Sequence, residues 1–378
     1  MNTTANSFDE HEFRDWTLEE FESIQESHVF SDRYKKAKKK TIKAYRRRSA
    51  SMTRLYKLAA ALAACIAIPA GAGVYAAVTH TEFFNNAFGN TGRQNTAVHE
   101  EIIVEEGKSI TVTYPKREYI AIDEAKAEAL IGMQTNSDPI SVDINDHTLT
   151  VLSTVRDENA IVMEFTLQCE TGVTALMYDK LTNESKGANM SDQATFYFHI
   201  AHTSGYIYVD MDRSTDTLLH CYYYGLFVHG GFLKDGETPI LNIQYWDKPL
   251  HNRSDQDIIH KKNIAIPAEH ILDATAFTSE TGGILRCSPI SFMVDMAKGL
   301  GLTKGQAQDP AYLDAITINY TDGTDYQVFD RDMNIDNTSN LCGGTGENNT
   351  ELMLIFNRLV DPAKISTITV NGIVYSRK

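Results

Sequence analysis

The sequence predicts a mainly β chain with a short helical cytoplasmic tail, one transmembrane helix and two β-sandwich-like extracytoplasmic domains. Three observations carry that prediction. A dense basic run stands directly against 21 uncharged residues, "LAAALAACIAIPAGAGVYAAV" (Leu58–Val78). Beyond it, short segments alternate apolar and polar residues with period two, as half-buried strands do. Between those segments stand pairs such as Asp322-Gly323 and Asn371-Gly372, which favour two-residue hairpin turns.

The tail, residues 1–57, divides by sign. Residues 1–32 hold nine acids and Arg14, whereas 33–57 hold 12 Lys and Arg and no acid. "TLEE" at Thr17–Glu20 fits a capping box, with Thr17 as N-cap and Glu20 reaching back. The helix it opens carries Leu18, Phe21 and Ile24 at roughly helical spacing, with Trp16 just before it. Ser31 can cap a second helix, along which Tyr34, Thr41 and Tyr45 fall near one face. So short a segment has too little apolar surface to fold by itself, and its order depends on a partner. The basic half, residues 33–57, is suited to an anionic membrane surface, each charge contributing about 1 kcal/mol there.

As a helix, residues 58–78 reach about 30 Å at ~1.5 Å per residue, the thickness of a bilayer core. Ten of those 21 residues are Ala, and Pro69 and two Gly interrupt the run. A buried Ala-rich helix of a soluble domain is one rival reading, but globular helices rarely lack charge over such a length. A cleaved signal peptide is another, since "VYA" (Val74–Ala76) has suitable small residues. Signal peptides begin near the chain start, however, and here 57 residues come first. The expectation is therefore an uncleaved, single-pass anchor in the plasma membrane. The positive-inside rule puts the N-terminus in the cytoplasm and residues 79–378 outside. Of the chain's net charge of −15, the acidic share lies beyond residue 57, where 22 basic side chains face 41 acidic ones. That balance argues against nucleic-acid binding.

After a linker (79–97) containing a short helix in "TEFFNNAFGNTGRQN", two β domains are expected, over 98–255 and 256–378. "IIVEEGKSITVTY" reads as a hairpin around Glu106-Gly107, and "YIAIDEAKAEALIG" as a strand and then a helix. "HTLTVLSTVRDENAIVMEFTL" reads as two strands turning at Arg156–Asn159. "ATFYFHI", "GYIYVDM", "LLHCYYYGLFV" and "PILNIQYW" continue the first domain, and the polar "DKPLHNRSDQDIIHKKN" connects it to the second. There the second module starts at "IAIPAEHILDATAFTS" and runs through "GILRCSPISFMVDM", "LDAITINYTDGTDYQVFD", "ELMLIFNRL" and "STITVNGIVY". The aromatic run "CYYYGLF" (Cys221–Phe227) is read as strand packing.

No catalytic motif is present: no G-x-S-x-G, H-E-x-x-H, phosphate loop or C-x-x-C, so neither an enzyme nor a cofactor is expected. No metal ligand is assigned. His199 and His202 of "HIAH" fall on a strand pattern that points them to opposite faces. Two loops space oxygens alternately, Asp330, Asp332, Asn334 and Asp336 in one and Asp210, Asp212, Ser214 and Asp216 in the other. Neither has the Gly and Glu of a helix-loop-helix calcium site, and solvated turn carboxylates are the simpler reading. Past the span lie Cys169, Cys221, Cys287 and Cys342. Pairing within each domain would give Cys169–Cys221 and Cys287–Cys342, with buried thiols as the alternative.

The layout also carries a resemblance. "FSDRYKKAKKKTIKAYRRR" before an Ala-rich span, "HTLTVLSTVRDENAIVMEFTL", "SPISFMVDMAKGLGLT" and "IFNRLVDPAKISTITVNGIVY" together resemble the Gram-positive bacterial membrane proteins called domain of unknown function 4179. The resemblance covers most of residues 30–378 and its motifs are structural. It implies a gene beside an extracytoplasmic-function sigma factor and a role in regulating that factor, as described for some relatives. It brings no residue-level site, and the H-x₃-C-x₂-C zinc element of better known anti-sigma proteins is absent from this chain. The expected function is thus a membrane regulator or sensor with an unidentified extracytoplasmic ligand. Its tail would hold a sigma factor or other cytoplasmic regulator through Trp16, Phe21 and Ile24, flanked by Glu19, Glu20, Glu22 and Glu26. The alternative is a membrane-anchored adhesion or scaffold protein, for which the tail is only an anchor.

Overall fold

Strands joined by tight turns account for most of what the computed structural model describes, namely residues 83–89, 96–105, 108–120, 124–131, 139–171, 196–210, 212–228, 238–246, 258–266, 271–345 and 349–377. All lie within residues 72–378, which form one compact unit. The chain begins with helix α1 (83–89), strands β1 (His99–Glu105) and β2 (Lys108–Tyr114), and helix α2 (Glu124–Ile131). Next come β3 (Ile140–Ile144), β4 (His147–Arg156), β5 (Ala160–Cys169), β6 (Phe196–Ile200) and β7 (Thr203–Val209), then β8 (Leu218–Phe227), β9 (Ile240–Trp246) and β10 (Ile258–Ala265). β11 (Thr275–Ser279), β12 (Ile284–Cys287) and β13 (Ser291–Asp295) lead to the short helices α3 (Met296–Leu300) and α4 (Lys304–Ala307). The remainder is β14 (Ala315–Tyr320), β15 (Asp325–Asp330), β16 (Ile335–Asp336), β17 (Thr338–Thr345), β18 (Glu351–Phe356), β19 (Ile365–Val370) and β20 (Ile373–Arg377).

The first module packs a five-stranded antiparallel sheet, β3-β4-β5-β8-β7, against a three-stranded one, β10-β9-β6. Leu149, Val151, Met163, Phe165 and Tyr223 of the larger sheet meet Ile200, Leu241 and Ile243 of the smaller. The other face of the same central strands is also buried. Val162, Tyr222, Tyr224 and Leu226 pack with Phe83 and Phe88 of α1, Ala127 and Ile131 of α2, and Met353 and Ile355 of β18. Two buried faces explain why "AIVMEF" and "CYYYGLF" are nearly unbroken apolar runs where β4 still alternates. Each large side chain enclosed this way stabilises the fold by about 1.5–3 kcal/mol. β7 and β8 approach closely where Gly205 and Gly225 stand opposite each other. A Cβ on Gly205 would lie 2.6 Å from the Tyr224 carbonyl oxygen.

The second module is a ten-stranded antiparallel sheet, β16-β15-β14-β19-β20-β11-β12-β13-β18-β17. Its edge strands, β16 and β17, are consecutive in the chain with only Asn337 between them, so the sheet bends round until its edges nearly meet. Asn337 donates its backbone N–H to Val328 at 2.8 Å and accepts the Asn357 N–H at 3.1 Å. Phe277, Phe292, Ile316, Ile318, Tyr326, Leu354 and Ile368 fill the space within, joined by Met296 and Ala307 of the two short helices. Thr303 opens α4 with a full capping box to Gln306. The Asn371-Gly372 turn joins β19 to β20 with φ of 46° and 79°, the left-handed pair such a hairpin requires.

Several sequence expectations are reshaped. Strand β10 lies past the expected boundary at residue 255 yet pairs with β9 and so completes the first module. Helix α1, expected within a linker, buries Phe83, Phe84 and Phe88, and the Tyr224 hydroxyl donates to the Ala87 carbonyl. Cys169, Cys221, Cys287 and Cys342 are thiols, which sets aside the two pairings. Tyr119 and Ile120 are not in a strand, although the helix expected after them is present as α2. The 58–78 span and residues 1–57 lie outside the described residues, among which no helix is long and apolar enough to cross a membrane.

Candidate functional site

At one end of the first module's core, the β3–β4 turn places a carboxylate over an imidazole and a thiol. Asn145 takes a positive φ of 54°, closing the hairpin in two residues, Asn145 and Asp146. His147 then starts β4 and pairs directly with Cys169 at the end of β5. Cross-strand partners point to the same face, here inward, and both residues are buried. The Asp146 carboxylate stays at the surface and reaches over both. Its Oδ1 lies 2.8 Å from His147 Nδ1. Its Oδ2 lies 3.6 Å from Cys169 Sγ and accepts from Thr171 Oγ1 at 3.4 Å. Cys169 Sγ and Thr171 Oγ1 are 3.2 Å apart. The ring of His147 stands 6.0 Å from that of Tyr245, which is in turn 6.4 Å from that of His260.

Electrostatics divides the pair. Burial opposes ionisation of Asp146, but hydrogen bonds from its own backbone N–H, Asn145 and Cys169, with the attraction of His147, outweigh it and lower its pKa. Burial lowers the His147 pKa, and Asp146 only partly offsets this. A carboxylate beside a neutral imidazole results. Nitrogen, sulfur and oxygen from these three residues all lie within 4.8 Å of one another, a donor set able to hold a metal ion. Residue spacing does not show this cluster, because Cys169 is 22 positions beyond His147. The signal is in the register: counting back from the Arg156–Asn159 turn, and allowing one bulge after Val151, brings the two ends together.

The other sequence candidates fare differently. The alternating carboxylates cap turns and are not gathered into a site: Asp330 accepts the Met333 N–H at 2.8 Å, and Asp336 accepts from Thr338 through N–H and hydroxyl. Asp210 likewise takes the Arg213 N–H and supplies its carbonyl to Ser214. His199 sits on β6, but His202 occupies a turn with φ of 62°, and the two form no ligand pair. A groove of about 400 Å³ opens between α2 and the loops at 320–324 and 358–364. Its charges are engaged locally, Arg358 with Glu118 at 2.7 Å and over the Tyr326 ring, Lys364 with Asp361 at 3.3 Å. Trp16, Glu19, Glu20, Phe21, Glu22, Ile24 and Glu26 lie outside the described residues.

No protein-family model and no curated protein matches the chain. Among solved structures, the crystal structure of the conserved domain protein from Bacillus anthracis is similar with a TM-score of 0.36 and 16% identity, over 64% of this chain and 78% of that one.

Proposed function

We propose that the chain is a single-pass regulator or sensor of the plasma membrane, with its N-terminus in the cytoplasm. The two β modules, a pair of packed sheets and a single ten-stranded sheet that bends round on itself, then lie outside the cell and meet an envelope ligand. Residues 1–57 hold a cytoplasmic partner, a sigma factor in the reading that the likeness to domain of unknown function 4179 suggests. The observation that carries the proposal is the abutment of 12 basic residues in 33–57 against 21 uncharged ones in 58–78. Such a junction fixes both membrane insertion and direction. The acidic half of the tail supplies complementary charge to a basic partner, with Trp16, Phe21 and Ile24 as apolar contacts.

The test is co-purification of the sigma factor encoded beside this gene with the full chain from detergent-solubilised membranes, against a chain lacking residues 1–32. Retention by the first and loss by the second supports the regulator. Absence of a complex at micromolar concentration overturns it. A truncated chain that keeps every surface phenotype instead makes the tail an anchor and the protein an adhesion or scaffold.

A further inference from the structure

We infer that Asp146, His147 and Cys169 form a binding site for a divalent transition-metal ion of borderline softness, zinc(II) foremost. The site needs neither the membrane span nor the tail, so it stands apart from the regulator reading.

The donor set is the first reason. Imidazole nitrogen and thiolate sulfur prefer zinc and its neighbours to calcium or magnesium, which take oxygen ligands. A carboxylate oxygen is a common third ligand, and three protein ligands leave a fourth position for water or a small ligand. The second reason is geometry. Metal bonds of about 2.0–2.3 Å place the ligand atoms of a tetrahedral site somewhat under 4 Å apart. The three atoms here lie within 4.8 Å of one another. Two of them hang from directly paired strand positions, which hold their spacing without help from a loop. The third belongs to Asp146, whose side chain is 48% exposed and can turn towards an ion without disturbing the core. Hydrogen bonding alone explains the Asp146 contacts. It does not explain why an imidazole is buried beside the thiol at the opening of a β-sheet core, where an aliphatic side chain would cost nothing in desolvation.

Loading is balanced by one proton. The Cys169 S–H bond breaks, the proton leaves to solvent, and the sulfur lone pair forms the metal bond with no change of oxidation state. The imidazole binds as the neutral ring, and Thr171 Oγ1, already beside both Cys169 and Asp146, can hydrogen bond to the ligated carboxylate or a bound water.

Cobalt(II) is the probe for geometry and zinc(II) for affinity, each added to the full chain in detergent. The expected result is one equivalent bound per chain, with a near-ultraviolet cobalt–thiolate band and tetrahedral visible bands. Cys169→Ser should abolish the near-ultraviolet band. Asp146→Ala, which removes a surface side chain and leaves the core intact, should weaken zinc binding by more than roughly tenfold, the loss that even an outer partner brings. Zinc should raise the thermal midpoint of the parent chain by more than that of Asp146→Ala. The proposal is overturned if saturable binding is absent at tens of micromolar metal, if the thiolate band survives Cys169→Ser, or if Asp146→Ala is stabilised by zinc as much as the parent.

Discussion

Asn357 holds Asn337 twice, through its backbone N–H to the Asn337 carbonyl at 3.1 Å and through Nδ2 to Oδ1 at 3.3 Å. This pair is the seam of the ten-stranded sheet. Asn337 also donates Nδ2 to the Gln327 carbonyl at 2.7 Å, accepts the Glu118 N–H at 2.6 Å, and receives the Tyr326 hydroxyl on its own carbonyl at 3.1 Å. One residue thus serves both sheet edges and the 116–118 strap, which adds a parallel bridge from Lys116 to Ile335.

Asn337→Ala should therefore destabilise the protein by about 1–3 kcal/mol, because it deprives the Gln327 carbonyl and the Glu118 N–H of their partner. The denaturant midpoint is the measurement, with an unchanged slope expected. A variant as stable as the parent would show that water fully replaces the side chain at the seam.

Asp157 joins the two modules. Fully buried in the β4–β5 turn, it accepts the Asn159 and Ala160 N–H groups on Oδ1, each at 2.7 Å, and the hydroxyls of Ser288 and Ser291 on Oδ2, the latter at 2.6 Å. Burial raises its pKa above the ordinary 3.8, against the opposing pull of those four hydrogen bonds. The folded state thus binds the proton more tightly than the unfolded chain. The Asp157 contribution is greatest below pH 3.8 and falls as pH rises from there through the raised folded value. Asp157→Asn should flatten that slope in urea unfolding across the range. Asp157→Ala should cost more than Asp157→Asn at every pH, because it takes the side-chain acceptor away from the Ser291 hydroxyl and the Asn159 and Ala160 N–H groups. Nearby, Glu158 accepts from Arg286 Nη1 at 2.8 and 2.9 Å, but that pair is half exposed, and its removal should change stability by no more than about 1 kcal/mol.

Gly205→Ala should lose about 1–3 kcal/mol, an overpacking effect. Its new Cβ would meet the Tyr224 carbonyl oxygen at 2.6 Å and the Tyr223 hydroxyl at 2.7 Å. The ring could yield; the carbonyl belongs to a paired strand and cannot do so without disturbing β7–β8. Thermal unfolding checks this, and a neutral outcome would mean that β7 moves freely against β8.

The proposed membrane orientation has its own test in intact cells. In a background with the natural cysteines replaced by serine, Met333→Cys, at a side chain 64% exposed, should react with a membrane-impermeant maleimide. Ser7→Cys in the tail should react only after the cells are opened. Equal labelling of both positions in intact cells would place the tail and the β modules on the same side.

The strand pairs joined by short turns were legible because their physics is local. The β4–β5 hairpin has its turn at the Arg156–Asn159 stretch expected for it, and Asn371-Gly372 turns β19 into β20. The buried run in β8 was legible as strand packing, but not that its two faces serve different cores. Its outer face meets α1 and β18, which are far away in the chain. The Asp146, His147 and Cys169 cluster is not legible in the sequence for a related reason. Strand spacing shows each residue's face, whereas the meeting of His147 with Cys169 depends on register, including a bulge that shifts every pair beyond it by one.

By itself, then, the amino-acid order determined the β character, the hairpins and the charge segregation around an apolar run, since each depends on residues within a few positions of one another. Tertiary structure decided which strands share a sheet, that β10 belongs with β9, that the ten-stranded sheet bends back to Asn337, and which polar side chains converge at the end of a core. Those outcomes depend on contacts between residues distant in sequence, where many pairings satisfy the same local pattern and only the packing of whole sheets selects one.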